Sequence, residues 1–442
     1  MIRKYNKNRV KINNIHVEFS DNNLTNYAGI VPVSDFLLKK LGFAQHIKSG
    51  LFLQMGSNVT FQDYQIFSTI IYGYLCDYKR LSHFEEFSKD RIIQKLIGLK
   101  KHLDENTLGN RLEKFSFKTA NQFSEICRRL GNIVHRQYSF SEDTTKIVDL
   151  DSTVKGVYGN QEGAQKGYNP KKRGQKSYHP LMAFLTSTKE CVHSWFRPGD
   201  TYTGNGVAEF MKECRERFPK GDFKYLFRAD SGFFGDGFLS EAERLNSIYL
   251  VKVKLKNLRD LLAKQQWEKI PGLANISYCE FYYQCNGWLN ARKFVAIRTL
   301  KDVITEGYLF PHYIYEYQCF VTNLEEAPIE IYHLYKDRAE CENWIEAVKN
   351  QIGAGATIVN HFWANDVLWQ LGVLAYNLTI WMRYLCCRKS WRQEPNTFRN
   401  WFIRVAGRLV CHSRQYKLKL QKSYHYRKEW LMIYDKIACL QL

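Results

Sequence analysis

The sequence predicts an α/β core set between helical regions, on three observations. At Lys146 a mainly helical texture gives way to a strand with acids on one face. Beyond it, strand-like and helix-like segments alternate, as they do in an α/β layer. From about residue 249 to 323 the segments are β-rich, aromatic and alternating, so they read as an insertion into that core.

Bulk properties set the limits. A chain of 442 residues is long enough for two or three domains. It is 45% hydrophobic and 15% aromatic, ample for a large core. A formal net charge of +20 points to a polyanionic partner, nucleic acid or an anionic membrane. Twelve cysteines without a Cys-x-x-Cys pair exclude a zinc framework and read as reduced thiols of a cytoplasmic protein. The polar start "MIRKYNKNRVK" is not a signal peptide. The longest apolar run, "VLWQLGVLAYNLTIWM", is interrupted by Gln370 and Asn377, so a buried helix is expected rather than a membrane span.

The elements follow in order. Residues 1–140 read as helical: "VSDFLLKKLGFAQHI" and "FQDYQIFSTIIYGYLCDY" have helical apolar spacing. Asp104 or Asn106 caps the next helix, in "LDENTLGNRLEKFSF". In a basic protein this region is a candidate DNA-binding domain. In "KIVDLDSTVKGVYG", Val148, Leu150, Ser152 and Val154 face one way, and Asp149, Asp151 and Thr153 the other. The loop "GNQEGAQKGYNPKKRGQKSYHP" offers Lys171, Lys172, Arg173 and Lys176 as phosphate contacts, with a solvated loop as the alternative. "LMAFLTST" and "CVHSWFRPGD" read as paired strands, "GNGVAEFMKECRERF" as an amphipathic helix, and "FKYLFRADSGFF" as a buried strand ending in a tight turn. "YLVKVKL", "ISYCEFYYQC", "ARKFVAIRTL" and "YIYEYQCFVTNL" are the inserted strands. Trp267 and Trp288 there are core residues or stacking platforms for an unpaired base. Residues 386–442 are expected to be a helical, basic tail with Trp and Tyr interleaved, a DNA-binding composition.

"YKDRAECENWIEAVK" reads as one helix. Tyr335, Arg338, Glu342 and Lys349 share a stripe about 60° wide at about 100° per residue. Trp344 falls on the other side. The stripe is a solvated, charge-paired face or a line of functional groups. Three acids decide between these. Asp151 sits on the first core strand, Asp230 ends "FRAD", and Glu342 lies on the helix. Singly they are an edge-strand acid, a turn former and a surface residue. Together they suit an α/β sheet, which presents functional side chains at the carboxyl ends of its strands. Three carboxylates within about 4 Å repel by about 4 kcal/mol per pair at an effective dielectric near 20. They therefore call for cations. Oxygen-only ligands suit Mg²⁺ or Mn²⁺, and two such ions clamp the oxygens of an in-line phosphoryl displacement. Asp149 shares the strand face of Asp151 and remains the alternative to it. Asp236 reads as a turn residue.

The chain resembles bacterial insertion-sequence transposases of the DDE type. The Tyr-x2-Arg-x3-Glu-x6-Lys signature of that group matches Tyr335, Arg338, Glu342 and Lys349 with every spacing intact. Asp151-Ser152-Thr153 matches the end of the first core strand, and Asp230 in "RADSGFF" the second acid. "GYNPKKRGQKSYHPLMAF" and "LAYNL" are also similar. The resemblance implies a ribonuclease H-like catalytic core over 141–385, with a β-rich insertion at about 249–323. It implies Asp151, Asp230 and Glu342 as catalytic ligands of two divalent ions, Mg²⁺ or Mn²⁺. Arg338, Lys349 and Tyr335 would hold transposon-end phosphates. Implied partners are double-stranded DNA, as terminal inverted repeats and target, and a second copy in a synaptic dimer; no membrane is involved. A bacterial cytoplasmic, nucleoid-associated location follows. The alternatives are a ribonuclease H-like nuclease without strand transfer and an inactive, domesticated DNA-binding derivative.

Overall fold

The computed structural model describes residues 21, 23–56, 59–140, 145–169, 172–307, 310–388, 394–413 and 415–442. Lys171, an expected phosphate contact, lies outside them.

Among the described residues, nine strands form one mixed sheet. In chain order they are Lys146–Ser152 (β1), Leu181–Leu185 (β2), Glu190–Trp195 (β3), Tyr225–Ala229 (β4) and Ile248–Lys252 (β5), followed by Glu268–Ile270 (β6), Leu273–Tyr283 (β7), Arg292–Ile304 (β8) and His312–Thr322 (β9). Their spatial order is β6-β7-β8-β9-β5-β4-β1-β2-β3. β1 pairs parallel with β4, and β4 with β5. β2 and β3 are antiparallel on the other side of β1.

The alternation in β1 explains its place. Val148 and Leu150 are fully buried beneath the helices Val207–Arg217 and Asp236–Arg244, with Phe210, Met211, Phe238 and Leu239. The opposite face, carrying Asp149 and Asp151, turns to the helical segment that begins at Pro328 and to the long helix Phe362–Cys386. There Trp344 meets Phe184 of β2 at 5.7 Å between ring centroids.

The four aromatic segments are strands of this same sheet. "YLVKVKL" holds all of β5 but its first residue, and β5 is hydrogen-bonded in parallel to β4 with Leu226 opposite Ile248. β9 then adds antiparallel to β5, and β8, β7 and β6 extend the sheet outwards. The open backbone edge of β5 supplies the template for that extension.

The amino-terminal helices and Phe362–Cys386 share one hydrophobic cluster, which also takes in Met182, Phe184 and Cys191 of the sheet. The "VLWQLGVLAYNLTIWM" segment lies in that long helix, with Trp369 and Trp381 among its largest fully buried side chains. No described helix is long and apolar enough to cross a membrane. All twelve cysteines are free thiols.

The tail departs from the helical expectation. Gly407–His412 (β10) and Gln415–Leu420 (β11) form a hairpin, and the short strand Leu24–Thr25 pairs with β10. Its apolar residues recur every second position, with Leu418 and Leu420 alternating with Lys417 and Lys419. That is a strand period, and Ser413 at the tip takes φ +50°. A helix, Arg427–Cys439, follows.

Candidate active site

The site is built at the carboxyl ends of β1 and β4. Asp151 is the penultimate residue of β1. Asp230 follows β4 directly and caps the turn Ser231–Phe233, accepting the Gly232 N–H at 2.9 Å. A Cβ at position 232 would lie 3.0 Å from Asp230 Oδ1 and 3.2 Å from Thr203, so a side chain there would press on both.

The third acid comes from the helical segment, which is not the single regular helix expected. Pro328–Lys336 is α-helical, Asp337–Ala339 is a 3₁₀ turn, Glu340–Glu346 is α-helical and Ala347–Ile352 is π-helical. Tighter and wider turns of this kind alter the angle per residue. Even so, the four signature side chains meet the strand ends or the cleft beside them. Tyr335 packs on Phe320 of β9, with ring centroids 4.5 Å apart. Arg338 Nη2 lies 2.8 Å from Asp151 Oδ2. Glu342 is exposed and lines the cleft. Lys349 Nζ donates to Thr153 Oγ1 at 2.9 Å and to the Val154 carbonyl at 2.7 Å.

Tyr335, Arg338 and Lys349, the expected phosphate contacts, each make the contacts above within the protein, and Lys349 also lines the cleft.

Asp149 and Asp151 are distinguished by depth. Asp149 is fully buried, bound by Arg228 of β4 through Nε at 2.6 Å and Nη2 at 2.8 Å, with Thr186 at 3.2 Å. Arg228 also donates to the Leu334 carbonyl, so this pair ties two strands to the helical segment. Asp151 instead opens onto a cleft of about 1020 Å³.

Asp151, Asp230, Glu342 and Lys349 line that cleft together, with Lys172 and Lys254 on its walls. Burial pushes the Asp151 carboxyl up to about 6; the Arg338 charge pulls it down, and the charges of Asp230 and Glu342 push it up again. The charges of Asp230 and Glu342 are therefore felt at Asp151. Among the described residues, however, no three His, Cys, Asp or Glu side chains are grouped closely enough to hold a metal ion. The donor set itself, three carboxylates, has the chemistry of a hard divalent cation site. In this arrangement Arg338 supplies the positive charge beside Asp151. The Arg338 Nε has no hydrogen-bond partner among the described residues.

The basic loop is only partly at the site. Lys172 reaches the cleft and donates to Tyr158 Oη at 2.7 Å. Lys176 bonds Asn160 at 2.8 Å, and Arg173 is exposed; neither lines the cleft. His179 is in the wall, its Nδ1 2.7 Å from the Thr201 carbonyl. Trp267 donates to the Leu262 carbonyl and lies 4.5 Å from the Arg298 guanidinium. Trp288 packs on Phe234 and Phe294. Asp236 pairs with Arg292 at 2.7 Å.

Sequence reasoning missed Tyr202, Thr203, Lys254 and Asn343, all of which line the cleft. Thr203 Oγ1 is 3.2 Å from Ser152 Oγ, next to Asp151. The polar, Gly-containing stretch "TYTGNG" after β3 is the one local signal that marks part of this wall.

The comparisons with known proteins stand beside this geometry. A family model described as the transposase DDE domain, group 1, matches residues 7–442. No curated protein matches the chain. Among solved structures, the piggyBac transposase in a synaptic complex with hairpin DNA, determined by cryo-electron microscopy, is similar at 13% identity and TM-score 0.46, over 85% of this chain and 79% of that one. The Mos1 transposase paired-end complex with the left transposon end is similar at 12% identity and TM-score 0.18, over 49% of this chain and 67% of that one.

Proposed function

The chain belongs to the group 1 transposase DDE domain family, and from that premise we propose that it cuts the ends of its own insertion sequence and joins the freed 3′-hydroxyls to target DNA. One observation carries the proposal. Two acids at the ends of adjacent parallel strands and a third on the packed helix line one cleft, whose walls also bear Lys172 and Lys254.

The order β3-β2-β1-β4-β5, with β1, β4 and β5 parallel, supports a ribonuclease H-like core. On this reading the insertion between the second and third acids, expected at about 249–323, starts after β5 and comprises β6–β9. The proposed division is a helical DNA-binding part over 1–140, a catalytic part over 141–385 and a basic part over 386–442.

Asp151, Asp230 and Glu342 are the residues we assign as ligands of a divalent pair, Mg²⁺ or Mn²⁺. When bound, such ions neutralise charge developing on the phosphoryl oxygens and lower the pKa of water. Asp151 would exchange its contact with Arg338 for this one. Lys349 holds the end of β1 against the helix that carries Glu342, so the acids keep their spacing. Lys172 and Lys254 would take phosphates of the strand lying in the cleft. The chain contributes positioning and charge neutralisation, with no covalent enzyme intermediate. The DNA partners are terminal repeats and target duplex, and joining two ends calls for a dimer on DNA.

A strand-transfer assay tests this. Pre-cut duplexes from the DNA flanking the gene, a supercoiled target and Mg²⁺ should yield joined products with the native chain and none with Asp230→Asn. Cleavage without joining would reduce the function to that of a nuclease. Duplex binding without either reaction would leave a DNA-binding derivative.

A further inference from the structure

We propose that the β10–β11 hairpin is a second surface for duplex DNA, separate from the catalytic cleft. The proposal extends the functional reading above and rests on it only for the identity of the polyanion.

From Arg404 to Lys428 the chain carries eight Lys and Arg and no Asp or Glu. The hairpin places three of these, Arg408, Lys417 and Lys419, on one face. Arg408 pairs across from Lys419, Val410 from Lys417 and His412 from Gln415. The other face holds Leu409 opposite Leu418 and Gly407 opposite Leu420. Leu418 and Leu420 pack against the helical core, so the basic face turns outwards. Arg408, His412, Lys417 and Lys419 are exposed.

The ribbon is firmly mounted. Leu24–Thr25 pairs with β10, and Lys95 Nζ stands 4.0 Å over the Tyr416 ring. Asp21 pairs with Arg408 at 2.7 Å. No carboxylate pairs with Lys417 or Lys419 among the described residues.

Like charges placed directly opposite each other destabilise an antiparallel pair. Arg408 facing Lys419 is such a placement; Asp21 offsets the Arg408 charge, while Lys419 and Lys417, two residues along on the same face, have no carboxylate beside them among the described residues. A polyanion laid across Lys417 and Lys419 supplies that counter-charge. B-DNA has a major groove about 12 Å wide that admits a two-stranded ribbon. A membrane surface fits less well, because the outward face carries one apolar side chain, Val410, and interfacial binding needs apolar anchors. None of the described hairpin residues lines the catalytic cleft.

The test uses the full chain with Lys417→Gln and Lys419→Gln combined, in EDTA. Binding to a mixed-sequence duplex of roughly 40 base pairs is followed by fluorescence anisotropy over a KCl series, and the log–log salt slope should fall by about two units, close to one per lost phosphate contact. The Lys417→Arg, Lys419→Arg pair should restore the slope. Both variants should melt with the native chain, since the changed side chains are exposed. A native chain that binds duplex with a slope the Gln pair leaves unchanged overturns this proposal and leaves the transposase reading standing. A native chain that fails to bind duplex at all overturns both. Loss of binding to phosphatidylserine vesicles in the Gln pair, with an unchanged duplex slope, would also overturn it by assigning the face to lipid.

Discussion

Arg338 and Asp151 form an ion pair of 2.8 Å at the edge of the cleft, from side chains 9% and 13% exposed. The guanidinium thus supplies a positive charge to an acid that the proposed chemistry assigns to a metal. Arg338→Met leaves that carboxylate without its counter-charge. We expect a loss of about 3 kcal/mol, the lower end of the range for breaking a buried pair. Much of it should return in the double variant with Asp151→Asn. A urea-unfolding cycle over the four proteins measures the coupling; additive losses would show that the two groups act independently.

Asp149→Asn and Asp151→Asn should fail in different ways. The first leaves Arg228 buried and unpaired, and should cost about 3–5 kcal/mol. The second should abolish cleavage while duplex binding persists, with a smaller stability loss because its side chain opens on the cleft. Unfolding and cleavage measured on the same preparations separate them. If Asp149→Asn were as stable as the native chain and alone lost cleavage, the two roles would be exchanged.

Glu342 is exposed, so Glu342→Gln should change stability by less than about 0.5 kcal/mol. It should nevertheless abolish cleavage. Thermal melts beside a cleavage assay check this, and retained activity would remove Glu342 from the assigned ligands.

Lys349→Met should lower cleavage by about 10- to 100-fold, the scale of an ångström-sized misplacement. The salt slope of duplex binding should not change, because the ammonium bonds Thr153 and Val154. A slope reduced by about one unit, as for a lost phosphate contact, would return Lys349 to direct DNA binding.

Asp151 sets a pH dependence. Its carboxyl is raised from 3.8 to about 6, chiefly by burial. Between those values the folded chain keeps a proton that the unfolded chain has released, so this group's contribution to stability falls as pH rises through that window. A cation must displace the same proton. Apparent Mn²⁺ affinity should therefore fall about tenfold per pH unit below 6, with proton release on binding. Calorimetry in buffers of different ionisation enthalpy reads this release, and Asp151→Asn should eliminate it.

The spacing of Tyr335, Arg338, Glu342 and Lys349, the acids at Asp151 and Asp230, and the alternation of Val148 and Leu150 are all local, and they could be read directly. Period two placed Asp149 and Asp151 on one strand face and could go no further. Their different depths come from Arg228, 79 residues away on a neighbouring strand, which binds one of them. Helical spacing likewise aligned Arg338 and Lys349 but could not say what they would meet, because Asp151, Thr153 and Val154 reach them only through the packing of helix on sheet. The hairpin at 407–420 carried a strand period that the charge of the tail obscured. Its pairing with Leu24–Thr25, at the other end of the chain, was beyond local pattern. Periodicity determines which face of an element a side chain occupies. Depth and partner are decided by contacts between distant segments, which exist only once the chain has folded.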